Sequence, residues 1–469
     1  SLTKLNNSVI HKIMNIIKIH FLGASGTVTG SKFYLETPEL NIMVDCGMFQ
    51  GLKELRQINW TPLPIDVSKI DVVLLTHGHL DHTGYLPRLV KEGFKGKIIG
   101  TAPTLAITRI ILLDSAKIQE EEADQANAEG YSKHHPALPF YNVKEAEKTL
   151  SLFESKEKDE WIILSENIRF KFRYNGHIIG ATFIELEIFG KLFVFSGDIG
   201  RIEDTLLAAP ERPKWADYLF LESTYGNKLH PEENISEILI DLIHKTINER
   251  GNLIIPSFAV ERLQSIMYTL WQLYKKNKIP NIPIFIDSPM GNNVLSVFEQ
   301  FPKWHKLSMK EYQEMCSHFN IISSYADTWK TIDNPRPKIV IAGSGMVTGG
   351  RVLTYLKQLI DIPSTSVLLV GYQAEGTRGR QLLEGAHELK LYGKYYPVKA
   401  TIRHLESLSA HADQNELLHW IDDIKNIPEN VFLIHGEPTA LDAFRVKIKD
   451  THGWKIDIPK LNEVIKINL

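Results

Sequence analysis

The sequence predicts an α/β protein in two parts, and three observations carry that reading. From Asn15 to about Tyr225, short β-rich runs alternate with helical patterns. From about Asn227, apolar strands alternate with helical patterns and Gly-rich turns, the rhythm of a parallel sheet flanked by helices. Histidines and carboxylates recur directly after apolar strands, so polar chemistry gathers at strand ends. A chain of 469 residues with 43% hydrophobic content can fill two cores, or one core carrying a large insertion.

Taken in order, residues 1–13 show no clear pattern; Met14 precedes the first strand, and 1–13 are expected to be a leader or tag. Residues 16–22 read as a strand. A glycine-rich turn over 23–31 follows, then a hairpin of 32–35 with 41–44 that ends at Asp45. Residues 72–75 read as a buried strand. Residues 104–130 are helical, and their acidic end (Glu120, Glu121, Glu122, Asp124) is expected to be a solvated face. Further strands are expected at 168–174, 182–188, 192–196 and 218–221. Beyond them come a helix at 235–250, a strand at 252–256, a helix at 261–276, and strands at 282–286, 338–342 and 366–370. The expected domains are 14–226, an insert at 227–400, and a return to the first domain at 401–469.

Composition excludes several classes. No apolar run has membrane-spanning length, and no signal peptide is evident. The two cysteines, Cys46 and Cys316, argue against a disulfide scaffold and for a reducing cytoplasm. A net charge of -3 means that a nucleic-acid partner must be met by a local patch.

The run Thr76-His77-Gly78-His79-Leu80-Asp81-His82 places three histidines and an aspartate directly after the strand at 72–75. Four such side chains suit two adjacent ions better than one closed tetrahedral site. Imidazole and carboxylate without thiolate favour zinc, with manganese or iron also accepted. His177, Asp198 and His435 each lie at a strand end downstream. One ion would take His77, His79 and His177, and the other Asp81, His82 and His435. Asp198 would bridge them across the roughly 3.5–4 Å usual for dinuclear sites.

This His-x-His-x-Asp-His run, with Asp45 before it and His177 and Asp198 after it, resembles the metallo-β-lactamase fold, an αβ/βα four-layer sandwich with metals at one edge. The resemblance gives Asp45 the role of orienting metal-site histidines. Leu221–Gly226 around Glu222, Ser407–Asp413 around His411, and Ile434–Glu437 around His435 resemble motifs A, B and C of the β-CASP subfamily, whose members act on nucleic acids. The 188 residues between Glu222 and His411 match that subfamily's inserted cap domain. Histidine at 435, where the DNA-acting branch carries valine, implies the RNA branch. The implied type is a bacterial two-domain nuclease similar to the endonuclease subunit of pre-mRNA 3′-end processing.

The implied function is metal-dependent hydrolysis of single-stranded RNA by endonuclease or 5′-exonuclease action, with two zinc ions per chain. The expected catalytic residues are Asp81, His411 and Glu222. His411 would protonate the leaving ribose oxygen, while Glu222 orients its ring. The turn Gly343–Arg351 offers amides suited to phosphate, through Ser344, Gly345, Thr348 and Gly349, together with Arg351. Arg378 and Arg380 add charge, and between Pro335 and Arg403 ten Lys and Arg stand against four Asp and Glu. Arg262 is a further candidate on the resemblance alone. Two rival readings are a small-ester or thioester hydrolase and a metal-free RNA-binding scaffold. The cap argues against the first, and the complete ligand set against the second. The sequence also allows a homodimer.

Overall fold

The computed structural model describes residues 15–322 and 324–469; the segment 1–13, expected to be a leader or tag, lies outside them. Two seven-stranded sheets and one six-stranded sheet organise the described residues, beside a small hairpin. The first sheet runs Val464–Asn468, Ile16–Phe21, Phe33–Glu36, Asn41–Val44, Val72–Leu74, Lys97–Gly100, Phe153–Ser155. Its first three junctions are antiparallel and its last three parallel. The second runs Ile456–Asp457, Asn430–Ile434, Tyr218–Glu222, Lys191–Phe195, Thr182–Ile188, Ile168–Tyr174, Ile162–Ser165 and mixes both senses in the same way.

The two sheets face each other across an aromatic core. Phe195 stacks on Phe220 with ring centroids 4.1 Å apart, Phe432 packs on Phe220 at 5.0 Å, and Phe21 and Phe33 close the layer from the opposite sheet. Outside the first sheet, Leu86, Leu89 and Leu112 anchor helices; outside the second, Leu417, Trp420, Leu441 and Phe444 do so. Helix, sheet, sheet and helix make the four layers. Burial follows strand position: the more peripheral Ile168–Tyr174 alternates buried and half-buried residues, while Tyr218–Glu222 and Asn430–Ile434 are buried throughout.

The third sheet is wholly parallel, in the order Asn320–Ile322, Ile284–Asp287, Lys338–Ala342, Asn252–Pro256, Ser366–Val370, Thr401–Leu405. Helices Ile235–Asn248 and Arg262–Lys275 cover one face and Arg351–Leu359 the other. Its last strand lies just past residue 400, so the sheet takes in the first residues of the segment expected to return to the first domain. Most expected elements differ from the observed ones by a residue or two. The long helix is Ala102–Glu129, capped by the Thr101 side chain and closed by Gly130 at φ 68°. Among the described residues no helix is long and apolar enough to cross a membrane.

Candidate active site

Strand ends bring the polar residues together. Val72–Leu74 leads into Thr76–His82; Lys191–Phe195 leads to Asp198; Tyr218–Glu222 ends on Glu222; Asn430–Ile434 leads directly to His435. Each of these strands runs parallel to at least one neighbour, and their carboxyl ends share one edge, where both sheets meet the third. The loops pack tightly. A Cβ on Gly47 would lie 1.6 Å from the Asp81 carbonyl oxygen, so only glycine passes there. Asp45 and His435 hold φ of 58° and 51°, uncommon for non-glycine residues.

His77, His79, His177 and Asp198 form one group, and Asp81, His82, Asp198 and His435 a second. Within each, the ligand-capable atoms lie within 4.8 Å of one another. His177 Nε2 and His79 Nδ1 are 3.2 Å apart, and His82 Nε2 and His435 Nε2 3.3 Å. Asp198 Oδ2 lies 3.4 Å from His77 Nε2 and 3.2 Å from His82 Nε2, and Oδ1 lies 3.3 Å from His435 Nε2. Asp81 Oδ2 is 3.1 Å from His435 Nε2. Tetrahedral zinc with ~2.0–2.1 Å bonds sets its ligand atoms about 3.3 Å apart. His77 Nε2 and Asp198 Oδ1 are buried with no hydrogen-bond partner, a cost that a cation would remove.

The far nitrogens explain the convergence. Thr76 Oγ1 donates to Asp45 Oδ2 at 2.7 Å and so accepts from His77 Nδ1 at 3.0 Å. His82 Nδ1 donates to Asp45 Oδ2 at 2.7 Å, His177 Nδ1 to the Ala410 carbonyl at 3.0 Å, and His435 Nδ1 to Thr224 Oγ1 at 2.9 Å. Each bond fixes the tautomer and turns an Nε2 lone pair into the site. Asp45 thus touches His82 directly and His77 through Thr76. Thr76, Thr224 and Ala410 lie within motifs that the sequence shows, but nothing in the sequence gives them a role. Their signal was local: each neighbours a ligand or motif residue, and each answers what a histidine's second nitrogen bonds.

Charge is distributed unevenly. Burial pushes His79 down to about 3 and lowers His77 and His177, leaving these imidazoles neutral with lone pairs available. Burial also acts on His82 and His435, but the carboxylates of Asp198 and Asp81 outweigh it and raise both. Against the same desolvation, surrounding imidazoles hold Asp198 and Asp81 well below the usual carboxylate range.

His411 stands at the rim of this cluster. Its Nδ1 lies 3.4 Å from Glu222 Oε1 and its Nε2 3.9 Å from Asp198 Oδ2. Glu222 is fully buried and also accepts from the amides of Ile199 and Thr224, so its carboxylate is held rigidly.

A cleft of about 950 Å³ joins this cluster to the third sheet's loops, with His79, Asp81, His177, Asp198, His411 and His435 at its floor. Arg262, Ser344, Thr348, Gly349, Arg351 and Arg378 line it, while Gly345 and Arg380 do not. Several of these groups already have protein partners. Ser344 Oγ accepts from the amides of Thr348 and Gly349, so those two amides are internally satisfied. Arg378 donates to the carbonyls of Lys390 and Val347. Arg351 is buried over the Tyr325 ring at 3.6 Å, and Arg262 is 5% exposed. Arg380 is committed across the domain boundary, with both terminal nitrogens on Glu437 at 3.2–3.3 Å. Glu121 and Glu122 also line the cleft, as does Asp114, so the helix face expected to be solvated partly faces the opening. At the same opening Trp60, 53% exposed, packs edge-on against Phe140 at 5.0 Å.

Three family models match the chain: the metallo-beta-lactamase superfamily over residues 26–228, the Beta-Casp domain over 263–382, and the Zn-dependent metallo-hydrolase RNA specificity domain over 395–459. Ribonuclease TTHA0252 of Thermus thermophilus is 32% identical over 459 residues, covering 95% of this chain and 99% of that protein. An RNase J-like protein of Methanocaldococcus jannaschii is 32% identical over 97% of this chain and 100% of its own length. Transcription termination factor FttA of Methanosarcina mazei is 29% identical over 90% of this chain and 67% of that protein. A crystal structure of a protein of unknown function from Enterococcus faecalis aligns with a TM-score of 0.50 at 13% identity, covering 96% of this chain and all of that one, a likeness of fold alone.

Proposed function

Because the chain belongs to the β-CASP branch of the metallo-β-lactamase superfamily, we propose that it is a ribonuclease that cuts single-stranded RNA with two metal ions, zinc in the simplest reading. The observation that carries this is the pair of four-residue groups sharing Asp198 at the floor of the cleft. His77, His79 and His177 would hold one ion, Asp81, His82 and His435 the other, and Asp198 both. The ions would supply Lewis acidity toward the phosphate and a water activated near neutral pH.

The remaining work falls to the chain. His411 Nε2 faces the site and would deliver the proton to the leaving ribose oxygen, while Glu222 at Nδ1 holds the ring in register. In this reading the cap spans 227–405, including the last strand of its sheet. Metal analysis of protein prepared without chelator is expected to give two equivalents; one or none in folded protein would remove the dinuclear site.

The cleft also bears on substrate shape. Its mixed charge and exposed Trp60 suit a strand whose phosphates meet Arg378 and whose unpaired bases stack. A folded duplex is wide and hides its bases in a deep groove. Cleavage of one end-labelled sequence is expected to be much faster as a single strand than as a perfect duplex, with binding that weakens steeply as salt rises. Equal rates on both forms would exclude the cleft as the RNA channel. The cap arginines separate in the same assay. Arg378→Ala should weaken RNA binding at normal metal content. Arg380→Ala should chiefly lower thermal stability, by about 1–3 kcal/mol, because it leaves Glu437 without its charged partner. An Arg380→Ala protein of unchanged melting temperature would contradict that division.

A further inference from the structure

Among the side chains that the third sheet's domain sends toward the metal cluster are Phe258, whose ring lies 6.0 Å from that of His79, and Glu261, at the start of a helix. Glu261 precedes Arg262–Lys275 with φ 68° and ψ −57°, a conformation that residues with a Cβ rarely adopt and glycine adopts freely. The residue is 1% exposed. Several bonds hold it there: its amide donates to Gln264 Oε1 at 2.6 Å, and its carbonyl accepts from the Ser265 amide at 2.8 Å. Its Oε1 leaves its own domain and accepts from the amide of Ile179 at 2.7 Å, while Oε2 is buried without a partner.

Ile179 lies two residues beyond His177, in a loop bounded by Gly176 and Gly180, both at positive φ. The Ala181 amide on the Ile178 carbonyl and the Asn175 amide on the Ala181 carbonyl close the loop on itself, and its outside bonds set where it sits. Asn175 ties one end to the carbonyls of Ser196 and Asp198, each at 2.7 Å. Ala410 holds the His177 ring, and the backbone beyond it is held by Glu261 at Ile179 and by Thr101 and Thr104, whose hydroxyls donate to the Gly180 carbonyl at 2.8 and 2.7 Å. A side chain kept in a costly backbone conformation, desolvated and half unpartnered, is retained against its local preferences.

We propose that Glu261 is a positioning residue: acting through the Ile179 amide, it sets His177 from the cap and couples the seating of the cap to completion of the His77–His79–His177 group. This rests on reading that group as a metal site. Burial, reinforced by nearby Asp204, pushes the carboxyl up to about 8, so it is mostly protonated at neutral pH and glutamine is a close mimic.

Three variants of the full chain test the proposal: E261G, E261A and E261Q. Each is loaded with zinc, dialysed against rising EDTA for metal content, assayed for kcat and KM on single-stranded RNA, and melted without metal. E261G and E261A are expected to release one equivalent at an EDTA concentration that leaves the wild type loaded. Their kcat should fall roughly 10–100-fold with KM little changed, as for loss of an outer partner of a metal ligand. E261Q should restore both, because its Oε1 still accepts from Ile179. E261G should melt no lower than E261A, since glycine relieves the backbone. Wild-type metal retention and kcat in E261G would overturn the proposal. If the loaded wild type cleaves no RNA, the ribonuclease reading fails, while EDTA release still tests Glu261 by itself.

Discussion

Asp198→Ala is expected to abolish RNA cleavage while leaving the fold intact. Both oxygens of this carboxylate face imidazoles, Oδ2 toward His77 and His82 and Oδ1 toward His435, so its removal takes a donor from each ligand group at once. It also removes the negative charge that would offset two divalent cations in a buried site. The loss in turnover should exceed the roughly 10–100-fold typical of outer-shell changes. Folding is protected because Asn175 bonds to the main-chain carbonyl of residue 198, which alanine keeps. Metal content of the variant should fall to one equivalent or less. Two retained equivalents with near-normal turnover would show that Asp198 is not shared.

His411→Ala should produce the second largest effect, of a different kind. His411 lies at the rim, outside both four-residue groups that share the other histidines, and its Nδ1 is engaged by Glu222. Turnover is expected to drop by ~10²–10⁴-fold, the usual contribution of a general acid, with both metals retained. His435→Ala should instead lower metal occupancy, because His435 Nε2 sits 3.1 Å from Asp81 and 3.3 Å from Asp198, at the centre of the second group. Metal loss on His411→Ala with retention on His435→Ala would mean that the two roles are exchanged. Glu222→Ala is a poorer probe, since Glu222 also satisfies the Ile199 and Thr224 amides.

The ligand candidates were legible because each directly follows an apolar strand or stands in a tight motif, and strand ends converge by topology. The hydrogen bonds that aim them were less legible. Thr76 and Thr224 look like ordinary hydroxyl residues until the second nitrogen of each histidine is accounted for. The cap's basic composition was visible, but its partners were not. Arg380 meets Glu437 only after the third sheet closes against the second, across 57 positions of sequence. The acidic end of the long helix shows the same limit. Periodicity tells that Glu121 and Glu122 leave the core, but not that the cap will stand opposite and turn that face into a cleft wall. Glu261 was invisible for a third reason: its role depends on a backbone angle that no side-chain pattern encodes.

Zinc titration of metal-stripped protein, followed by cleavage of an end-labelled single-stranded RNA, bears most directly on the shared site. Two groups that share Asp198 predict activity that stays near baseline through much of the first equivalent, then rises and levels off at two. Full activity at a single equivalent, or cleavage that persists without metal, would contradict a dinuclear ribonuclease.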